Sequence, residues 1–135
     1  MRKRVKPGTI RHMEYELLDV EIGESWPVPI SIIHGSRPGP IVTILGAIHG
    51  DELVGPLALT YLCGPNFMGE DRVIDASVLA GTIRIVPIVN LPGYRRMIRD
   101  FPDGRDLNRC FPGKPDSNTT SVSYTHLTLP TSDLV

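Results

Sequence analysis

A histidine and a glutamate three residues apart could bind one metal ion. They are His49 and Glu52 in the segment His-Gly-Asp-Glu. Imidazole nitrogen and carboxylate oxygen are zinc ligands, and catalytic zinc sites use three protein ligands and leave a fourth position to water. The same spacing also suits a turn histidine followed by a glutamate favoured at a helix start, so the spacing alone leaves both interpretations open. Asp51 suits a helix N-cap or a partner of a ligand better than a ligand.

A second stretch, residues 99–113, is dense in arginine and asparagine and reads Arg-Asp-Phe-Pro-Asp-Gly-Arg-Asp-Leu-Asn-Arg-Cys-Phe-Pro-Gly. Arginine recognises carboxylates in a planar, bidentate manner, and asparagine adds both a donor and an acceptor. The alternative is a structural salt-bridge loop in which Asp103 and Asp106 neutralise Arg105 and Arg99. The composition of this stretch does not decide between the two.

The elements around these residues would bring them to one edge of a sheet. Residues 41–45 form a short β-branched run, which predicts a strand buried on both faces. Residues 53–62 have helical spacing and end before Gly-Pro. A second apolar run, 82–89, predicts another strand that Pro87 would end, and Asn90 follows it. Ligands bind beyond the carboxyl ends of strands in open α/β sheets, which is where the two candidate motifs would lie.

The remaining segments are predicted more coarsely. Residues 1–12 are polar and are predicted to form a loose arm, whereas 13–33 alternate as two strands with a turn at 23–25. Residues 91–113 look loop-like. Residues 118–135 are rich in Ser, Thr and Leu without a period and resemble a translated sequencing adapter, so we interpret them as a non-native tail. The natural protein would then continue beyond residue 117.

The composition is that of a soluble globular protein, with 41% hydrophobic residues, 21% charged residues and a net charge of −1. This balance argues against nucleic acid and against an anionic membrane as partners. No long apolar stretch predicts a signal peptide or a membrane-spanning helix. The two cysteines, Cys63 and Cys110, do not form a disulfide framework, and we expect a cytoplasmic protein.

Taken in order, the motifs resemble the succinylglutamate desuccinylase/aspartoacylase family, a branch of the zinc carboxypeptidase-like hydrolases. The order is a strand, His-Gly-Asp-Glu, a helix, a strand ending Pro-Ile-Val-Asn, and then Asp-Gly-Arg-Asp-Leu-Asn-Arg-Cys-Phe-Pro-Gly. The resemblance covers roughly residues 13–114. It implies an α/β fold with a mixed, mainly parallel sheet flanked by helices, truncated after its first half, so that 13–117 would be the amino-terminal part of a zinc hydrolase domain.

The resemblance assigns roles to individual residues. It implies that His49 and Glu52 bind zinc, and that Asn108 and Arg109 hold the carboxylate of the substrate. It also implies that Arg99 polarises the scissile carbonyl and stabilises the oxyanion. Three other arginines are weaker candidates for that role: Arg95, Arg96 and Arg105.

One further residue follows less closely from the resemblance. Asn90 matches an asparagine at a strand end, and we assign it to substrate binding. The segment reads Asn-Leu-Pro-Gly-Tyr where carboxypeptidase relatives have Asn-Pro, which leaves its role open.

The function implied is that of a zinc-dependent deacylase, or amidohydrolase, acting on an amide or ester bond of a small carboxylate-bearing N-acyl substrate. The family also uses a later histidine as third ligand and a later glutamate as general base. The single histidine after Glu52 is His126, inside the suspected tail. The alternatives are therefore a zinc carboxypeptidase, an inactive fragment that lacks ligand and base, and a non-enzymatic sugar or peptide binder. A half-sheet would also leave an open edge, which predicts poor solubility.

Overall fold

Four strands and two short helices form the part of the chain that the computed structural model describes, residues 4–19, 24–64 and 73–110. In chain order the elements are β1 (Thr9–Asp19), β2 (Glu24–His34), β3 (Arg37–Leu45), α1 (Val54–Cys63), β4 (Ala80–Val86), α2 (Leu91–Arg96) and a 3₁₀ turn (Leu107–Arg109). None of the helices in these ranges is long and apolar enough to cross a membrane.

The strands form one mixed sheet in the order β1-β2-β4-β3. β1 and β2 are an antiparallel hairpin, β2 and β4 are also antiparallel, and β3 and β4 are parallel from Ile41 opposite Thr82 to Leu45 opposite Val86. The predicted mixed sheet flanked by helices is confirmed. Two of the three pairings in the described strands are antiparallel, whereas we expected a mainly parallel sheet. The reason is the long amino-terminal hairpin, which adds two antiparallel pairings beside the parallel pair.

Alternation along the strands gives each face of the sheet its own core. On one face, residues of β2 pack with residues from the start of the described chain, from the end of β4 and from the 3₁₀ turn. The buried members of this core are Val5, Trp26, Val28, Ile30, Ile32, Val86, Val89 and Leu107. The opposite face packs against α1, and its buried members are Ile33, Leu59, Cys63, Ala76 and Ile85. Burial of one such aliphatic side chain stabilises the fold by about 1.5–3 kcal/mol. The two cores together hold β3, β4 and α1 in fixed relative positions.

The helix and the second apolar strand lie close to their predicted positions. α1 covers Val54–Cys63 against the predicted 53–62, and it ends at Gly64, whose N–H donates to the carbonyl of Thr60 at 3.0 Å. β4 ends at Val86, immediately before Pro87, as expected from the missing donor of proline.

β3 is less buried than its sequence predicts. Ile41 is 53% exposed and Val42 is 48% exposed, so the prediction of a strand buried on both faces is wrong for the described chain. β3 lies at the edge of the described sheet and has β4 as its one partner there. An apolar β-branched run predicts a strand, but its burial depends on neighbours that the run itself does not specify.

The predicted loose arm at 1–12 is wrong for the residues that are described. β1 already begins at Thr9, Val5 is 5% exposed, and the N–H of Gly8 donates to the carbonyl of His34 at 2.8 Å. The hairpin strands end at Asp19 and resume at Glu24, so the turn predicted at 23–25 is wrong for Glu24 and Ser25, which belong to β2. Residues 20–23 and the suspected tail at 118–135 lie outside the described residues.

Residues 91–110, the described part of the loop predicted at 91–113, contain more regular structure than that prediction. α2 starts where the side chain of Asn90 accepts a hydrogen bond from the N–H of Gly93 at 3.0 Å, and Pro92 lies in its first turn. It ends at Met97, which has a left-handed backbone with φ of 55°. An N-cap asparagine followed by proline is a helix-start signal. The signal is present in the sequence, but the density of charge that follows it favours a loop instead.

Candidate metal and substrate site

The site lies at the carboxyl ends of the parallel strands β3 and β4, where their hydrogen-bond ladder continues into the following loops. The N–H of Gly46 donates to Val86, the N–H of Val89 to Gly46, and the N–H of Asn90 to Ala47, at 2.9, 2.9 and 3.0 Å. Ala47 is buried and has a positive φ of 42°, which bends the chain after the ladder. The metal-binding turn predicted at 49–52 therefore starts from an anchored backbone.

His49 lies between two carboxylates. Its Nδ1 is 2.9 Å from Oε1 of Glu52 and its Nε2 is 2.9 Å from Oδ1 of Asp106. The residue is 7% exposed. The hydrogen bond to Glu52 is the largest effect on the pKa of His49, and with the one to Asp106 it outweighs burial and the nearby Arg99 charge, so this pKa is above its usual value of 6.5. A neutral imidazole donates from one nitrogen only, so both contacts together favour the imidazolium when no metal is bound.

Asp106 connects His49 to the arginine segment. Its Oδ2 accepts a hydrogen bond from Nη2 of Arg99 at 3.2 Å, and its Oδ1 accepts one from the N–H of Asn108 at 2.9 Å, which caps the 3₁₀ turn. Burial would raise the pKa of Asp106, but hydrogen bonds from His49, the Asn108 N–H and Arg99 together hold this pKa below its usual value of 3.8. The sequence suggests no role for Asp106 beyond neutralising arginine. Its contact with His49 spans 57 residues, and no local pattern signals it.

The arginine segment is fixed to the core by two buried side chains, Phe101 and Leu107, each 2% exposed. It also forms both ion pairs expected of a salt-bridge loop: Arg99 with Asp106 at 3.2 Å and Arg105 with Asp103 at 4.0 Å. The salt-bridge interpretation is therefore correct as a description of contacts. It does not oppose a functional role, because the same Asp106 contacts His49.

The turn that carries His49 packs closely on α2. The N–H of Gly50 donates to the carbonyl of Arg99 at 3.3 Å. A Cβ at position 50 would lie 2.1 Å from the carbonyl carbon of Gly93 and 2.4 Å from the N of Tyr94 and the O of Ile98. These are backbone atoms, so they cannot yield as a side chain would. Glycine is required at position 50 because the backbone of this turn lies too close to the backbone of α2 and Ile98 to leave room for a side chain.

Asp51 does not cap the helix that follows. The N-cap of α1 is Leu53, which makes no side-chain capping bond, and Asp51 is exposed. The predicted N-cap role is wrong because the turn is closed by the main chain, with the N–H of Glu52 donating to the carbonyl of His49 at 3.2 Å. The turn thus ends one residue before the cap position.

A pocket of about 380 Å³ opens beside the turn. His49, Glu52 and Asn108 all line it, so the structure brings together three of the predicted site residues. Arg99 reaches the group through Asp106, with half of its side chain exposed. Arg109 is exposed at the end of the 3₁₀ turn. The other residues that line the pocket are Leu45, Gly46, Ala47, Ile48 and Gly55.

Asn90 does not line the pocket, and its assignment to substrate binding stays a prediction. The residue is 0% exposed. Its Oδ1 accepts from the N–H of Gly93 at 3.0 Å and its Nδ2 donates to the carbonyl of Arg99 at 3.2 Å. A side chain that is buried and bonded at both ends to the main chain is a structural connector between α2 and the arginine segment.

The donor atoms present fit two positions of a zinc site. Nδ1 of His49 and Oε1 of Glu52 are 2.9 Å apart, close to the separation of roughly 3.2 Å between two ligands at tetrahedral zinc bond lengths of about 2 Å. Asp106 occupies the other nitrogen of His49, in the manner of a carboxylate that orients a zinc-bound histidine. Within residues 4–19, 24–64 and 73–110, no group of three or more His, Cys, Asp or Glu side chains could hold a metal ion. These ranges therefore contain two donor atoms that could share a metal ion, and a carboxylate that contacts one of the two residues.

Comparison with known proteins identifies a family. Residues 38–131 match the succinylglutamate desuccinylase/aspartoacylase catalytic domain. The chain is 34% identical over 112 residues to the N-alpha-acetyl-L-2,4-diaminobutyric acid deacetylase of Halomonas elongata, a match that covers 80% of the chain and 30% of the relative. The matched region extends beyond residue 117 into the segment that we interpret as a tail, and that interpretation stays a prediction.

Solved structures give the same fold. An aspartoacylase family protein of Mesorhizobium loti superposes with a TM-score of 0.74 at 26% identity, covering 96% of the chain and 38% of that protein. A succinylglutamate desuccinylase/aspartoacylase from Rhodobacter sphaeroides superposes with a TM-score of 0.73 at 24% identity, covering 100% of the chain and 41% of that protein. The chain thus spans less than half the length of these relatives.

Proposed function

The chain belongs to the succinylglutamate desuccinylase/aspartoacylase family, and we propose that it forms part of a zinc-dependent deacylase. The reaction would be hydrolysis of an amide or ester bond in a small N-acyl substrate that carries a carboxylate. The observation that carries the proposal is the pair formed by His49 and Glu52 at 2.9 Å, with the second nitrogen of His49 held by Asp106. The Halomonas elongata relative is a deacetylase of an acetylated amino acid, which supports this substrate class.

His49 and Glu52 would hold the metal through Nδ1 and Oε1. Zinc bound in such a site supplies a Lewis acid and a water with a pKa near 7. With zinc on Nδ1, Nε2 would carry the one remaining ring proton and donate it to Asp106. The carboxylate thereby fixes the tautomer that a metal ligand requires. In this proposal the third ligand and the general base come from outside the described residues.

Arg99, Asn108 and Arg109 would act on the substrate. Arg99 would stabilise the negative charge that develops on the carbonyl oxygen, an effect worth about 3 kcal/mol for one such donor. Its guanidinium is half exposed and is held by Asp106, which also contacts His49, so it is available beside the ligand pair. Asn108 lines the pocket, and it would hold the substrate carboxylate together with Arg109.

We further propose a cytoplasmic location. Both cysteines are free, Cys63 buried at the end of α1 and Cys110 after the 3₁₀ turn. Free thiols are the usual state in a reducing compartment. Fractionation of cells that express the protein, with the soluble and membrane fractions probed separately, tests this location.

A zinc titration tests the metal site directly. We expect the 135-residue chain to bind zinc weakly, because two protein ligands hold it less tightly than a full set. Glu52→Ala and His49→Ala should abolish this binding, whereas Asp51→Ala, the matched exposed carboxylate in the same turn, should leave it unchanged. Zinc binding that survives both ligand substitutions would refute the proposed site.

Hydrolysis separates the deacylase from its alternatives. The chain is incubated with zinc and with N-acetyl and N-succinyl amino acids, and a peptide with a free carboxy terminus serves as the competing substrate. Release of the acyl group supports the proposal, whereas cleavage of the peptide alone favours a carboxypeptidase. Zinc binding without turnover of either is the result expected of a fragment that lacks the third ligand and the base.

A further inference from the structure

The side chain of Asn90 is bonded to two of the segments that build the site, and its main chain is bonded to the third. Its amide accepts from Gly93 in α2 and donates to the carbonyl of Arg99 in the arginine segment, at 3.0 and 3.2 Å. Its N–H donates to Ala47, which precedes the metal turn, and its carbonyl accepts from Tyr94, at 3.0 and 2.8 Å. All four contacts belong to a residue that is 0% exposed, and all four go to the main chain.

The carbonyl oxygen of Arg99 is shared between Asn90 and the metal turn. It accepts from Nδ2 of Asn90 at 3.2 Å and from the N–H of Gly50 at 3.3 Å. Gly50 directly follows His49, and the side chain of Arg99 holds Asp106, which contacts His49. One peptide group therefore connects the metal turn to the arginine segment, and Asn90 is the side chain that fixes its position.

We propose that Asn90 is a positioning residue that sets the distance between the metal turn and the arginine segment through the Arg99 carbonyl. It touches neither substrate nor metal. Removal of its donor would free the carbonyl of Arg99, loosen its bond to Gly50 and relax the position of His49 against Asp106. The expected effect on zinc affinity rests on the proposed function, but the expected effect on the backbone does not.

Asn90→Asp separates the effects of the two hydrogen bonds that the Asn90 side chain makes, because only one of them can form in the variant. The variant keeps an oxygen to accept from Gly93 and replaces the donor to Arg99 with a second acceptor. Hydrogen exchange of the 135-residue chain, read residue by residue by NMR, should show about tenfold faster exchange at Gly50. Gly93 and Tyr94 should keep their protection, because the cap of α2 is retained.

Gly93→Ala provides a second route to the same change without altering Asn90. A Cβ at position 93 would lie 2.5 Å from Nδ2 and 2.7 Å from Oδ1 of Asn90, so the amide must shift, and its bond to the Arg99 carbonyl would be disturbed. We expect the same faster exchange at Gly50. Asp103→Asn is the matched control, because it alters a side chain of the arginine segment that pairs with Arg105, and Gly50 should keep its protection there.

Two results would overturn the proposal. One is unchanged exchange at Gly50 in both Asn90→Asp and Gly93→Ala. The other is an equal acceleration at all amides, including the ladder between β2 and β4, which would mean that Asn90 supports only global stability. Zinc affinity, measured by competition with a chelating dye, should fall about tenfold in both variants. If the unaltered chain binds no zinc, the proposed function fails, and the exchange pattern still decides the role of Asn90.

Discussion

Nε2 of His49 lies 2.9 Å from Oδ1 of Asp106, across 57 residues of sequence. This contact joins the turn after β3 to the 3₁₀ turn that follows α2. It leaves Nδ1 of His49 facing Glu52. A single carboxylate thus holds one nitrogen of the proposed ligand and leaves the other facing Glu52.

Substitution of Asp106 by asparagine should weaken zinc binding by about 10–100-fold, because partners that orient a metal-bound histidine have effects of this size. The variant keeps the shape of the side chain but removes the charge that accepts from Nε2. Asp103→Asn is the matched control, since it removes a carboxylate that pairs with Arg105 in the same segment. Equal zinc affinity of the two variants, measured by dye competition, would contradict the role of Asp106.

The zinc affinity of the chain should rise with pH. Hydrogen bonds to Glu52 and Asp106 hold the pKa of His49 above its usual value of 6.5, so the imidazolium keeps its extra proton to a higher pH than a free histidine does, and this proton must leave when zinc binds. Below that raised pKa, the apparent affinity should increase about tenfold for each pH unit, and it should level off above it. Calorimetric titrations from about pH 5.5 to about pH 8.5, in buffers of different ionisation enthalpy, would measure both the affinity and the proton release.

The pH dependence of zinc affinity should also differ between the unaltered chain and the Asp106→Asn variant. Asp106→Asn removes one of the two carboxylates that raise the pKa of His49, so the pH at which affinity levels off should move down. A profile that is flat across the whole titrated range would show that His49 is not a ligand.

Gly50→Ala should destabilise the folded chain, by about 1–3 kcal/mol or more, because the added methyl group meets three backbone atoms within 2.4 Å. Gly55→Ala is the matched control. The nearest atoms to a Cβ at position 55 are 3.8 and 3.9 Å away, and alanine is favoured over glycine in a helix by about 1 kcal/mol. Urea denaturation of the two variants should therefore shift in opposite directions.

The exposed edge of β3 should make the chain self-associate. Ile41 and Val42 are about half exposed on a strand at the edge of the described sheet, and apolar edge strands pair with other chains. Val42→Lys should lower the associated fraction measured by light scattering. Val54→Lys is the control, since Val54 lies on helix α1 and is 81% exposed. Its substitution should lower the associated fraction less, because a helix offers no unpaired backbone. A chain that stays monomeric at all concentrations would contradict this expectation.

The parts of the fold that the sequence predicts best are those whose signals are local. Helical spacing locates α1, and the missing donor of Pro87 locates the end of β4. The approach of His49 to Glu52 also follows from a local feature, their spacing at a turn into a helix. Residues 99–109 are expected beside that pair from the family resemblance, and the contact between Asp106 and His49 places them there.

The features that local patterns do not predict depend on long-range packing. The exposure of Ile41 follows from the strand order, which no residue of β3 encodes. Asn90 looks like a site residue because it follows a strand, yet its amide is used by Gly93 and Arg99. Local polarity cannot distinguish an asparagine that faces a pocket from one that joins two main-chain segments. The sequence identifies Asp106 as a partner of an arginine. It does not identify Asp106 as a partner of His49, because His49 lies in a different loop.

The β3–β4 ladder continues through Gly46, Ala47 and Asn90, and this continuation affects the order in which the sheet and the proposed metal site form during folding. Because these bonds are main-chain contacts of the sheet itself, the loop geometry forms together with the strands. Metal capture would then be a late step that follows chain collapse. Stopped-flow refolding with and without zinc should show one common rate for sheet formation, with zinc altering only the subsequent unfolding rate.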